Sequence, residues 1–333
     1  MPYFKKYKVV ILAFDGALAS AITGAMDIFS FVGISWQRFN NTPLEPRFEV
    51  SIASLHQQPV RCTNQLLLQP QQDIAQVNGI DILLIPTIGG DIDKVLENNR
   101  QLLPYIQKIA NQGSDIASNC SGTFLLASAG LLDNRKATTH WGYADKFRAM
   151  FPQVNLKERD LITQSEQFFC AGGGVAFNDL CLLLIERYCG RDIANQMAKA
   201  HVINRQSGFQ STYANLHSFK QHKNDAVIKV QEFIEQHYQD KLNIRELAKM
   251  INVTERTLNR SFQKHVGMTP SRYIQSVRLE NAKRLLEQGI NNTRQLASLV
   301  GYEDPASFGR LFKQQSGFTP VEYRSTFQRN FIN

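Results

Sequence analysis

Cysteine is scarce in this chain: five among 333 residues, an odd number, with no CxxC pair anywhere. That spacing argues against a disulfide framework and against a thiolate metal knuckle. Cys62, Cys120, Cys170, Cys181 and Cys189 read as reduced thiols, most of them in apolar strings where a small buried hydrophobe is the simplest role. No histidine or carboxylate cluster completes a metal site, so neither metal nor cofactor is expected. Apolar runs long enough to span a bilayer are missing too, because VVILAF and DILLIP are only strand-sized. The start MPYFKKYKVVILAF passes directly into a strand without a small-residue cleavage site. A cytoplasmic protein with no membrane partner is expected. Low-complexity tracts are also lacking. What remains, 43% hydrophobic and 20% charged, is the composition of an ordinary globular chain with room for two domains.

Charge divides that length unevenly. From Lys220 onward there are 18 Lys and Arg against 11 Asp and Glu, whereas the first 219 residues hold 19 against 18. Nearly all of the formal +8 therefore lies in the last third, which points there for a polyanionic partner and away from the first part.

The same basic segment contains one motif written twice. Leu247, Ala248, Leu258, Arg260, Phe262, Gly267, Thr269, Pro270 and Tyr273 recur as Leu296, Ala297, Phe308, Arg310, Phe312, Gly317, Thr319, Pro320 and Tyr323. Leu247 and Leu296 stand 49 residues apart, and Arg260 and Arg310 stand 50 apart, as if one residue was gained in a loop. Each copy reads as a helix-turn-helix: a short amphipathic helix, a turn near Asn252 or Gly301, and a second helix starting at a capping residue, Thr254 or Asp304. Pro305 suits the first helical position.

At about 100° per residue, Arg256, Arg260 and Gln263 fall opposite the apolar side of Leu258 and Phe262. With Asn259 and Lys264 they form a cationic, amide-bearing face. Such a face suits the major groove, where Arg pairs with guanine and Asn or Gln with adenine. The second copy turns Ala306, Ser307, Gly309, Arg310 and Lys313 outward, a smaller set suited to close approach and phosphate contact. Charged residues on exposed helix faces are often merely solvated; the duplication favours the DNA reading. Between the copies, PSRYIQSVRLENAKRLLEQ predicts one continuous helix ending near Gly289, a spacer that would hold two recognition helices about 34 Å apart.

These strings resemble the DNA-binding domain of AraC/XylS-type transcriptional regulators, with RLENAKRLLE, GYEDPASFGRLFK and GFTPVEYR carrying the likeness. The resemblance implies a sequence-specific regulator of transcription whose partners are double-stranded DNA, a small-molecule effector, a second copy of the chain and RNA polymerase.

The first part alternates strands and helices. Residues 8–14, 48–55, 80–86 and 115–119 read as strands, with a helix from Asp91 to about Asn111. This pattern predicts an α/β domain, a parallel sheet covered by helices on both faces, ahead of an all-α domain with two helix-turn-helix units. Ligands of such sheets bind outside the carboxyl ends of the strands. There, Cys120 stands between a strand and a helix, with Ser118 two before it and Gly122 two after, the small-residue spacing of a nucleophile elbow. The Ser121 amide and the helix start would favour a thiolate or an anionic ligand group. His140 in TTHW returns to the same rim or packs beside Trp141, and Gly89 and Gly90 of PTIGGD either lend amides to the pocket or form a plain loop.

From about Val9 to Gln210 the chain resembles the PfpI-type branch of the class I glutamine amidotransferase-like superfamily, in the form fused to AraC-type domains. The Cys120 elbow, AGLLDNRKATTHW, AGGGVAFNDL and NRQSGFQS carry it. The superfamily's hydrolytic members place a histidine directly after the nucleophile and an acidic residue in the first loop. Here Ser121 and Ala21 occupy those positions. The resemblance thus implies an effector-sensing, dimerising domain that is not an enzyme, with Cys120, Ser121, His140, Gly89 and Gly90 in its pocket. Nitrogen-bearing metabolites such as amino acids and betaines are the implied ligand class. The alternatives are a cysteine-dependent hydrolase or amidase carrying a DNA-binding domain, and a regulator whose first domain only dimerises and binds nothing. Expected boundaries are 1–211 for the first domain, 212–224 for a polar linker and 225–328 for the DNA-binding domain.

Overall fold

A computed structural model describes residues 5–203, 222 and 224–327. The chain divides into two compact units, Met1–Gln210 and Ser211–Asn333. The expected linker, apart from His222 and Asn224, and the NRQSGFQS string lie outside the described residues.

In the first unit the apolar runs become the interior strands of a seven-stranded sheet. In chain order these strands are β1 (Tyr7–Leu12), β2 (Phe48–Ser54), β3 (Gln72–Asp73), β4 (Ile82–Ile85), β5 (Asp115–Asn119), β6 (Ile162–Ser165) and β7 (Phe168–Ala171). Across the sheet they run β6-β7-β5-β4-β1-β2-β3. β4 and β5 are buried along their whole length, which is why ILLI and DIASN read as continuous rather than alternating. The register aligns Ile85 with Ser118 and Asn119 with Ala171, so the strands end along one rim.

Helices cover both faces. Ala19–Ser30 packs on Phe177–Cys189, while Ile92–Asn98 and Leu103–Asn111 meet Thr123–Ser128. Phe14, Phe29, Phe124, Phe147 and Phe169 are among the largest fully buried side chains.

The expected parallel sheet forms with one exception, and one expected helix is interrupted. The sheet is parallel except at one edge, where β6 pairs antiparallel with β7 through a turn at Glu166, φ 55°. A two-residue hairpin reverses the chain where a crossover helix would have kept it parallel. The helix expected over Asp91–Asn111 is two helices separated by a 3₁₀ turn at Arg100–Leu102. Pro104 has no amide to give an interior turn, and it sits in the first turn of the second helix, where none is needed.

The second unit is helical and follows the duplication. Asp225–Gln236 leads; Ile244–Met250 and Glu255–His265 form the first pair, Thr293–Leu299 and Pro305–Ser316 the second. Pro270–Glu287 joins them as one continuous helix, and Pro320–Phe327 closes the described chain. Asn243, Thr254, Thr269, Asn292 and Asp304 all cap helix starts through side-chain oxygens. The turns between paired helices carry the left-handed residues Asn252, φ 53°, and Gly301, φ 80°. Each copy has its own core: Leu247, Ala248, Leu258, Phe262 and Tyr273 in the first, Leu296, Ala297, Phe308, Phe312 and Tyr323 in the second.

Candidate DNA interface and candidate effector site

The first recognition helix, Glu255–His265, is held by Leu258 and Phe262, both fully buried, and by Thr254, whose Oγ1 accepts the Thr257 amide at 3.2 Å. Arg256, Arg260, Gln263 and Lys264 are exposed on the opposite side, as the periodicity requires. Asn259 is half-buried and donates Nδ2 to the Glu255 carbonyl at 3.0 Å; Gln263 donates Nε2 to the Gly267 carbonyl at 3.1 Å. Arg256, Arg260 and Lys264 are thus the long donors presented outward, while the amides are tied to their own helix and its end.

In the second recognition helix, Asp304 accepts the amides of Ala306 and Ser307, each at 3.0 Å. The Ser307 hydroxyl donates to Asp304 Oδ2 at 2.6 Å and accepts from Arg310 Nη2 at 2.9 Å. The Ser307 hydroxyl, then the Ala306 and Ser307 amides, hold the Asp304 carboxyl below the usual carboxylate range. Ser307 is therefore part of the cap that also orients Arg310. Ala306 and Lys313 are exposed, and a Cβ added at Gly309 would meet no neighbour within 4 Å, so this face is smooth and open.

Residues that single-helix patterns did not mark connect the two copies. Arg278 in the joining helix donates Nε to the Tyr238 carbonyl at 2.7 Å and Nη2 to the Asp240 carbonyl at 2.8 Å, and lies 5.2 Å from the centre of the Tyr302 ring. Its outward, polar place on an amphipathic helix was the available signal, and it does not distinguish a solvated arginine from a bridging one.

At the carboxyl rim of the sheet, Cys120 adopts φ 56°, the left-handed turn that an elbow demands. Gly122 is required beside it, since a Cβ there would fall 2.3 Å from the Pro86 carbonyl oxygen. Ser118 bonds with Thr123 at 3.0 Å, and Thr139 donates to the Cys120 carbonyl at 2.9 Å. Cys120 is only 4% exposed. Burial pushes its thiol up, outweighing the Ser121 amide and the hydroxyls of Ser121 and Thr87, which pull it down. The expectation of a favoured thiolate is corrected accordingly: the donors are present, but desolvation of the charge wins.

The other rim residues are partly committed. Ser121 donates its hydroxyl to the Ile88 carbonyl at 2.7 Å. Gly89 gives its amide to the Gly16 carbonyl at 2.8 Å, so that amide is spent within the protein; Gly90 is half-buried next to it. His140 accepts the Gly142 amide on Nδ1 at 3.0 Å, packs 5.1 Å from Trp141, and is held below the ordinary histidine value by burial. Its packing role beside Trp141 is thus realised. Thr87 and Asn119, not singled out from sequence, knit the rim: Asn119 Nδ2 donates to Thr87 Oγ1 at 2.7 Å and to the Gly174 carbonyl at 3.1 Å. Polar residues at the ends of otherwise apolar strands were the signal for both.

Comparison with known proteins follows this division. Residues 7–168 match the DJ-1/PfpI family and residues 247–326 match a helix-turn-helix domain. The chain is 30% identical over 228 residues to the HTH-type transcriptional regulator CdhR of Pseudomonas aeruginosa, covering 67% of each chain. It is 30% identical over 137 residues to an isonitrile hydratase of Pseudomonas putida, 41% of this chain and 58% of that one. The crystal structure of a ThiJ/PfpI family protein from Pseudomonas syringae superposes with a TM-score of 0.52 at 18% identity, covering 71% of this chain and 88% of that one, a likeness of fold. With a paired helix-turn-helix unit behind an α/β unit of this fold, the chain belongs to the AraC-type, DNA-binding transcriptional regulators that carry a DJ-1/PfpI domain.

Proposed function

We propose that the α/β unit is a non-catalytic sensor that also dimerises the regulator, and that a small-molecule effector binds at the carboxyl rim beside Cys120. The observation that carries this reading is the state of the elbow: the left-handed turn at Cys120 is kept, while the residue is 4% exposed and its thiol is pushed up by burial. A nucleophile needs the thiolate and an open approach. A rim that has kept its shape and lost that chemistry suits binding. Domain limits of 1–211 and 225–328 around a linker, and a cytoplasmic location, go with this reading. Among the described residues, no helix is long and apolar enough to cross a membrane.

Regulation follows if the effector binds two arrangements of the protein with different affinity, since only differential binding shifts an equilibrium. A dimer binding two adjacent DNA sites gains through effective concentration. In the DNA-binding unit, Arg256 and Arg260 read bases, with Asn259, Gln263 and Lys264 beside them; Ala306, Ser307, Arg310 and Lys313 provide fit and phosphate contact.

The test is a thermal-shift series on the full chain with amino acids and betaines, with Cys120→Ala alongside. A ligand that raises the melting temperature of the parent and not of the variant supports binding at the elbow. The elbow and the likeness to an isonitrile hydratase favour a second reading, a cysteine enzyme with a DNA-binding tail. Turnover of an amide or isonitrile that Cys120→Ser abolishes would replace the sensor reading with that one.

A further inference from the structure

Between the two helix-turn-helix copies lies a groove of about 870 Å³. Lys241, just ahead of the first copy's leading helix, lines it, as do Arg294 and Ser298 on the leading helix of the second copy. Gln275 and Arg278 of the joining helix also line it. Lys241 and Arg294 are exposed. Among the lining residues three cations face a single carboxylate, Glu303, with uncharged donors between them.

The position of this groove is as informative as its charge. Its lining includes Glu303 and Pro305, at the turn into the second recognition helix. A recognition helix presents its first residues to base edges, and the leading helix of the pair crosses the backbone. On that docking geometry, a surface bounded by both leading helices and by the start of a recognition helix would face the duplex between the two major-groove contacts. The groove is also held in shape: Arg278 is fixed by the carbonyls of Tyr238 and Asp240, and Gly301 packs so closely that a Cβ would lie 2.7 Å from the Gln239 carbonyl oxygen.

We infer that this groove seats the phosphodiester backbone between the two half-sites, with Lys241 from the first copy and Arg294 from the second gripping phosphates. The seat contacts no base. Its effect is to fix the spacing at which both recognition helices engage. It rests on the assignment of the chain as a DNA-binding regulator and adds a surface outside both recognition helices.

The experiment uses the full chain and 30-base-pair duplexes that it selects from a randomised pool. Neutralising two phosphate contacts with Lys241→Ala and Arg294→Ala together should lower the slope of log K against log salt by about 2. Base preference should stay the same, and interference by ethylated phosphates between the half-sites should disappear. Lys241→Arg with Arg294→Lys should retain the parental slope, which separates charge from folding. An unchanged slope and interference pattern in the correctly folded alanine variant would overturn the inference. So would intact DNA binding with lost transcription by RNA polymerase, which would give the groove to a protein instead. If the parent chain selects no duplex, the DNA-binding assignment itself fails first.

Discussion

The phenol of Tyr323 donates to Glu287 Oε1 at 2.7 Å, and Tyr273 repeats the arrangement by donating to Glu235 Oε1 at 2.6 Å. Tyr273 and Tyr323 are duplicated landmarks, but their acceptors come from different helices, Asp225–Gln236 for the first and the joining helix for the second. The joining helix thus does for the second copy what the leading helix of the unit does for the first. The repeat therefore extends to three helices on each side, and the spacer is part of the second copy's fold.

Tyr273→Phe should cost about 1.5–3 kcal/mol, the range for a hydrogen bond to a charged group. The loss should also depend on pH. Burial, followed by the bond to Glu235 and that carboxylate's charge, raises the phenol of Tyr273 above the ordinary tyrosine value. The folded state thus favours the neutral phenol, and that stabilisation is complete below about pH 10 and lost as pH rises beyond it. Denaturant unfolding followed by helical circular dichroism should show a shallower alkaline decline in the phenylalanine variant; an identical decline would refute the linkage.

Gly301→Ala should destabilise the second unit by more than the roughly 1–2 kcal/mol of a left-handed non-glycine residue. The turn needs φ 80°, and the added methyl would lie 2.7 Å from the Gln239 carbonyl oxygen and 3.0 Å from the Arg278 guanidinium. Asn252 at the matching turn, φ 53°, is the contrast: Asn252→Gly should change stability by only a few tenths of a kcal/mol. A chemical-denaturation series that ranked the two substitutions equally would remove the crowding argument.

What was legible in the sequence was local. Residue type and position mark Thr254 and Asp304 as caps, and spacing marks Leu258, Phe262, Phe308 and Phe312 as core; all take those places. β5 over Asp115–Asn119 and the elbow at Cys120 were likewise visible, because strand, small residues and helix follow one another directly. The rest depends on partners far along the chain. Arg278 bridges to carbonyls some forty residues earlier, Asn119 reaches Gly174, and the Cys120 sulfur is enclosed by the packed rim around it. Periodicity carries no information on such contacts, which is why the thiol's shift ran opposite to expectation.

Acid should weaken the first unit. His140 and His201 are both held below the ordinary histidine value by burial, Asp27 partly offsetting the effect at His201. A depressed histidine adds stability that is present above about pH 6.5 and lost as pH falls through its folded value. The chain's two tryptophans, Trp36 and Trp141, both lie in this unit, so their emission reports its unfolding alone. Between pH 7.5 and 5 the urea midpoint read by tryptophan should fall, and His140→Gln should reduce the fall. A midpoint that does not move with pH would count against buried neutral histidines.

Arg256 and Lys313 should fail in different ways. Arg256 is exposed in the first turn of a recognition helix, where side chains reach base edges. Lys313 is exposed in the last turn of the other recognition helix, further from that end. Arg256→Ala should cost about 1–3 kcal/mol on the preferred duplex and relax discrimination at one base pair, because a bidentate contact with guanine is lost. Lys313→Ala should weaken all duplexes alike and lower the salt slope by about 1. Affinities measured on the selected duplex and on its single-base variants, at two salt concentrations, separate these outcomes. If Arg256→Ala weakened every duplex equally, Arg256 would be a phosphate contact, and base reading in the first copy would fall to Arg260, one turn further along the same exposed face.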